Sequence, residues 1–390
     1  MKDSDSVGAR IASYRKMRGL SQHQLVALTG ASYSMISKVE SGHATPSAAM
    51  VGLIAHALRI DPSRLYGEEE NEQTLDILPI IRRTLAAVDL MDDSLEPEPL
   101  DRLRPLVTQV AKWRRGAQYR KVAEVLPDLV DRLLVTAREE GEPAYAMLTD
   151  AYRAANSLSH KLGYNDLSMT ATERMEWAAT QSGDPLRLAS AHFVKASTLA
   201  RIGATRQAMR LLTRSMAEIE PMIGSDPIAM AVYSTLHMKA GAIAATVTDA
   251  DTSRMHFAEA ARLAEKFPEG VVYDTVAGTT NVRFYRVGAE VDLGDAGRAI
   301  EIATDTHLPN TKSAVGAERQ TYFWLDTARA HLLAGNPDAA IDALLESRAV
   351  APEHFRSNPT VKATVRAVAD QQRRASDTLR SLANSAGVAD

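Results

Sequence analysis

Apolar residues recur at three- and four-residue intervals along almost all of this chain, the spacing that puts side chains on one face of a helix. Ile11, Tyr14 and Met17 form the first such stripe. Leu25, Leu28, Ile36 and Val39 form the next and are expected to meet in one small core. Met50, Leu53, Ile54, Ala57 and Leu58 make a third, closed by Leu65 and Tyr66. Further on come Leu75, Leu78, Ile81, Leu85 and Val88, then Leu103, Leu106, Val110 and Trp113. Strict alternation never persists, so no strand is predicted. The expected fold class is all-α.

Polar and small residues punctuate this pattern. Gly30 separates the helices predicted over Gln22–Leu28 and Ser32–Ser41, because glycine readily takes the left-handed conformation that ends a helix. Thr45-Pro46-Ser47 and Asp61-Pro62-Ser63 start two more helices, since a capping side chain and a first-turn proline suit free amides. Five helices in about 66 residues suffice for a small domain that folds alone. The acidic run Glu68-Glu69-Glu70-Asn71-Glu72 then reads as a solvated connector, and Asp92 to Pro99 as a second polar break. The expected division is a head over 1–66, a helical connector over 67–119 and an array over 120–385.

Within the array, turn signals recur at Leu162-Gly163, Ile202-Gly203, Thr248-Asp249, Leu293-Gly294 and Ala334-Gly335. Intervals of roughly 40 to 46 residues are on the scale of helix-pair solenoids. Asp184-Pro185, Asp226-Pro227 and Asn336-Pro337 are helix starts of the same kind as those in the head. Ala196, Ala208, Ala328 and Ala340 fall where paired helices must approach closely.

The outer face of the helix predicted over Ser32–Ser41 carries Ser32, Tyr33, Ser34, Ser37 and Lys38, groups suited to base edges and phosphates. Gly19-Leu20-Ser21-Gln22, Leu25, Gly30, Ile36 to Glu40, Ser41-Gly42 and Thr45-Pro46-Ser47 together resemble the lambda-repressor-like (Cro/CI, XRE) helix-turn-helix family. The resemblance implies that Gln22 touches the DNA backbone and that Ser32, Tyr33, Ser34 and Lys38 face the major groove. It also implies an internal salt bridge between Arg15 and Glu40. Trp324, Ala328, Gly335, Ala340 and Pro352 resemble a tetratricopeptide repeat, and earlier units keep fewer of these positions. A basic head on such an array is similar to the peptide-responsive regulators of bacterial quorum sensing, which implies a peptide ligand.

A repeat array leaves a concave groove lined by the first helix of each pair. In that register the groove is expected to show Asp150, Arg153, Phe193, Lys239, Asn281, Phe284, Tyr322 and Arg329. Arg153, Asn281, Tyr322 and Arg329 are the chosen ligand-groove candidates.

Charge separates the two parts. Residues 1–66 hold eight Lys/Arg against four Asp/Glu, while the rest carries a net charge of −8. A basic head on an acidic body fits one part that meets double-stranded DNA and one that stays off it. A net charge of +4 binds weakly at physiological salt, so a homodimer is expected. The chain has no cysteine, which excludes thiol chemistry and fits a reducing compartment. Without a signal-like start or a membrane-length apolar run, a cytoplasmic protein with no membrane partner is expected. No catalytic pattern, phosphate loop or metal set emerges. His256 and Glu259 share a helical face but make a poor metal site, so no catalytic residue, cofactor or metal is assigned and the chain is not expected to be an enzyme. The leading expectation is a sequence-specific transcription regulator sensing a peptide or small molecule. The alternative is a protein-interaction scaffold tethered to DNA by its head.

Overall fold

The computed structural model describes residues 6–67, 72–86, 94–224, 226–308, 315–372 and 376–388. Glu68 to Asn71 of the acidic connector, Val88, Asp92, Asp93 and the side chains of Leu75 and Glu72 lie outside the described residues.

The head comprises α1 (Val7–Met17), α2 (Gln22–Thr29), α3 (Tyr33–Glu40), α4 (Ala48–Leu58) and α5 (Ser63–Tyr66). Ser21 caps α2 through the amide of Gln24, whose side chain caps Ser21 in return; Ser32 caps α3 and Ser47 caps α4. Each arrangement satisfies amides that a helix start leaves free. Gly30 ends α2 at φ 73°, as the turn requires. Ile11, Leu25, Ile36, Met50, Ile54, Leu58 and Leu65 are fully buried. Leu28 and Met17 are not: they are 59% and 76% exposed, against expectation. The head is too small to cover the far edge of either stripe.

Beyond the head, α6 (Glu72–Ala86) and α7 (Leu100–Arg115) share a core with α8 (Tyr119–Glu140) and α9 (Glu142–Lys161). Helices then pair off: α9 with α10 (Asn165–Gln181), α11 (Pro185–Arg201) with α12 (Thr205–Ile219), α13 (Pro227–Thr246) with α14 (Ala250–Ala264), α15 (Thr279–Leu293) with α16 (Ala296–Thr304), and α17 (Ala317–Leu333) with α18 (Pro337–Val350). The five predicted turns fall between the members of these five pairs. Asp184, Asp226 and Asn336 cap α11, α13 and α18 ahead of first-turn prolines. Three C-terminal helices, α19 (Pro352–Ser357), α20 (Pro359–Gln371) and α21 (Asp377–Ala386), close the array.

The fold departs from the strand-free expectation at one place. β1 (Gly270–Val272) and β2 (Thr275–Ala277) pair antiparallel between α14 and α15, joined by Tyr273 and Asp274. Both turn residues have positive φ, 45° and 55°. Such a turn normally uses glycine or asparagine, so the sequence carries no strong hairpin signal here.

The head packs into the array. Met35 and Met50 belong to one apolar cluster with Phe284, Val287, Val291 and Phe323. Ser47 Oγ donates to Asp292 Oδ2 at 2.6 Å, Arg329 Nε to the Thr45 carbonyl at 3.0 Å, and Gln371 Nε2 to the Gly42 carbonyl at 3.3 Å. Polar anchors thus flank an apolar seam. Among the described residues, no helix is long and apolar enough to cross a membrane.

Candidate functional site

Two surfaces are candidates, α3 and a chamber between the head and the array. On α3, Tyr33 and Ser34 are exposed, while Ser37 and Lys38 are half-buried. Ser32 accepts from the Met35 amide and fixes the start of the helix. The Tyr33 ring stacks on His23 of α2 with centroids 4.5 Å apart, which restricts its rotamers. Ile36, Val39 and Met35 face inward and hold the polar face outward. Gln22 lies at the start of α2, where its amide donates to Glu40 Oε2 at 2.8 Å.

Glu40 holds the two helices together from the other side. Its carboxylate receives Arg15 Nε and Nη2 at 2.6 and 2.7 Å, a two-point pair with side chains 10% and 6% exposed. Arg15 also donates to the Leu20 carbonyl at 2.7 Å. The hydrogen bonds to Glu40 raise the Arg15 pKa above its ordinary value.

The chamber has a volume of about 340 Å³. Its walls come from α9, α11, α13, α15 and α17, the first helices of the five pairs, and its roof from Ser47, Ala48, Tyr66 and neighbouring head residues. Arg153, Phe193, Lys239, Asn281, Tyr322 and Arg329 all line it. Asp150 and Phe284 do not, contrary to the projected groove. Asp150 instead accepts from Arg187 at 2.8 Å, and Phe284 stacks on Phe323 at 4.5 Å in the seam against the head. On α15 the inward position one turn after Asn281 belongs to Tyr285 rather than Phe284, and on α9 Arg153 lines the chamber without Asp150.

The four candidates differ in availability. Arg329 is 2% exposed, paired with Asp292 and Asp326 at 2.7 Å each and bonded to the head. It is a strut between head and array. Asn281 donates to the Val276 carbonyl at 2.7 Å and accepts from Arg319 at 3.2 Å. Tyr322 meets Lys161 through its hydroxyl and has Arg319 5.2 Å from its ring centre. Arg153 donates to the Asp274 carbonyl at 3.0 Å, and its Nη1 is buried without a partner.

The hairpin tip inserts Asp274 into this wall. Arg114 Nε reaches its carboxylate at 2.8 Å, Arg115 pairs with it too, and Arg153 Nε stands 3.6 Å away. Burial alone would raise the Asp274 pKa, but Arg114 and Arg153 hold it below the ordinary value. Glu318 is held at about 2 in the same way: burial opposes ionisation, and Lys161 and Arg114 overcome it.

Sequence reasoning missed Tyr285, Arg319 and Arg201 as chamber residues, and it missed the head's share of the lining. Tyr285 lies four residues after Asn281, and Arg319 three before Tyr322, so helical register carried the signal for both. Among the described residues no group of three or more His, Asp or Glu could hold a metal; His256 instead meets His237, Nδ1 to Nδ1, at 2.9 Å.

Residues 11–65 match the helix-turn-helix family. With capped α2 and α3 meeting at the Gly30 turn, the head is a helix-turn-helix domain, and the class so defined is a DNA-binding transcription regulator. Among solved structures, the chain is similar to Bacillus thuringiensis PlcR in complex with the peptide PapR7 and DNA. That match has 15% identity, covers 67% of this chain and 95% of that one, and has a TM-score of 0.30. No curated protein sequence matches this chain.

Proposed function

We propose that this chain is a sequence-specific transcription regulator that acts as a homodimer and senses a small molecule or peptide through a tetratricopeptide-like array. The proposed division is the head at 1–66, the connector at 67–119 and the array at 120–385. In this reading Tyr33, Ser34 and Lys38 reach base edges, while Ser32, Ser37 and Gln22 position the head on the duplex.

One observation carries the sensing part. The chamber is roofed by the head and walled by the array, so its shape depends on how the two are docked. A ligand that fits one docking better than another shifts the balance between them, and with it the placement of α3. The dimer follows from charge, since a head of net charge +4 makes few phosphate contacts.

Selection of binding sites from random duplex DNA by the purified chain tests this reading. The expected product is a palindrome with half-sites about one helical turn apart. Recovery of unrelated sequences, or a single half-site bound by monomer in sedimentation, would overturn the specific dimer and favour a tethered scaffold.

A further inference from the structure

The chamber wall carries eight Lys/Arg against four Asp/Glu. All four carboxylates are engaged: Asp274 and Glu318 by Arg114 and its neighbours, Asp292 and Asp326 by Arg329. Three cations are left over. Lys239, Arg319 and Arg201 have no carboxylate within 4 Å among the described residues.

Their surroundings are aromatic and neutral. Lys239 donates to the Tyr285 hydroxyl at 3.2 Å and lies 4.7 Å from the ring centres of both Phe193 and Tyr285. Arg319 sits 4.4 Å from the centre of the Tyr285 ring. Arg201 donates to Ser168 and Thr198 through Nη2, and its Nε is buried without a partner. Aromatic faces attract cations but leave most of the desolvation cost standing. Burial accordingly lowers the pKa of Lys239 and brings that of Arg201 to about 10. Tyr285 responds in the opposite sense: burial opposes ionisation, yet Lys239 and Arg319 bring its phenol down to about 8. This end of the chamber is therefore short of negative charge.

We propose that Lys239, Arg319 and Arg201 bind the carboxylate or phosphate group of a small anionic ligand, whose organic part lies against Phe193, Tyr285 and Tyr322. The assignment rests on the ligand-sensing reading above and gives that ligand a chemical class. The same chamber already seats one carboxylate among guanidinium groups, that of Asp274. Its volume of about 340 Å³ is at the small end for ligand pockets, which run from about 300 to 1,000 Å³. A compact organic acid or phosphate ester fits that space; a long peptide does not.

The test is calorimetric titration of the full chain with inorganic phosphate, succinate and the neutral isostere succinamide. At least one of the two anions is expected to bind, with succinamide at least tenfold weaker. Binding of phosphate alone assigns a phosphate ester, and binding of succinate alone an organic acid. Lys239→Met is expected to weaken the bound anion at least tenfold. Tyrosinate absorbance gives a second readout: an anion at the three cations should offset the pull of Lys239 and Arg319 and move the ionisation of Tyr285 upward. Silence with both anions, equal binding of succinate and succinamide, or an unmoved tyrosine titration would overturn the anionic site. If the chain takes the anion and its operator affinity does not change, the sensing reading fails and the site stands. If operator affinity responds to a neutral compound while neither anion binds, the site fails and the sensing reading stands.

Discussion

Gly52 of the head and Gly203 of the array meet backbone to backbone. A methyl group at Gly52 would lie 2.1 Å from the Arg201 carbonyl oxygen, and one at Gly203 would lie 2.6 Å from the Gly52 carbonyl oxygen. Neither obstacle is a side chain that can swing away. The relationship separates what stabilises the head from what docks it. The three atoms nearest to such a methyl at Gly52 all belong to the array, at Ala200 and Arg201. Gly52→Ala should therefore stabilise an isolated 1–70 fragment by about 0.5–1 kcal/mol through helix propensity. In the full chain the same change should undock the head and raise amide exchange across Ala48–Leu58. Unchanged exchange in the full chain would mean the contact yields without cost.

Glu40→Ala removes the carboxylate from a pair whose side chains are 10% and 6% exposed and leaves the Arg15 guanidinium with its bond to the Leu20 carbonyl but no counter-charge from Glu40. Breaking such a pair on one side costs about 3–5 kcal/mol. The expected outcome is a large drop in the urea midpoint of the 1–70 fragment. A change below about 1 kcal/mol, the range of surface pairs, would show that solvent reaches Arg15 freely.

Burial holds His354 neutral and pushes its pKa down to about 3, with nearby Lys161 acting in the same direction. Tyr119 and Asn358 occupy its two ring nitrogens at 2.8 and 3.1 Å. An unfolded histidine binds its proton near pH 6.5, so the folded chain holds fewer protons between pH 3 and 6.5. This contribution is complete above pH 6.5 and is lost as pH falls. It amounts to about 2 kcal/mol between pH 6.5 and 5, at about 1.4 kcal/mol per unit. His237, pushed down to about 4 by burial and by His256, acts in the same direction. Unfolding free energies from urea titrations at pH 7.5 and 5 should converge by about that amount in His354→Gln relative to the native chain. An unaltered pH dependence would count against a neutral His354.

Lys38 projects from the half-buried side of α3 beside exposed Tyr33 and Ser34. If it reaches a base edge, Lys38→Ala should weaken operator binding by about 1–3 kcal/mol and leave random DNA much less affected. Equal losses on both would make it a phosphate contact and leave base reading to Tyr33 and Ser34.

Helix ends were legible because their chemistry is local. Asp184-Pro185 and Asn336-Pro337 cap the helices they were expected to cap, and Gly203, at positive φ, turns the chain where a turn was expected. The inward register of Lys239, Asn281 and Tyr322 was legible for the same reason, since a helix face is fixed by spacing. What periodicity could not supply was the extent of each neighbour. Leu28 and Met17 extend apolar stripes that nothing in the described residues covers fully. Short strands joined by Tyr273 and Asp274 gave no alternation to detect and no glycine to mark the turn. The part of Arg329 was illegible because its partners, Asp292 and the Thr45 carbonyl, lie 37 and 284 residues away.

Those separations order events during synthesis. Ser47 waits 245 residues for Asp292, and Gly42 waits 329 for Gln371. At about 5–20 residues per second, the head leaves the ribosome on the order of tens of seconds before its anchors are made. Until then only its own capped helices and the pairing of Arg15 with Glu40 can hold it, and docking into the array comes after. A nascent chain thus presents the head before Asp292 and Gln371 exist to hold it.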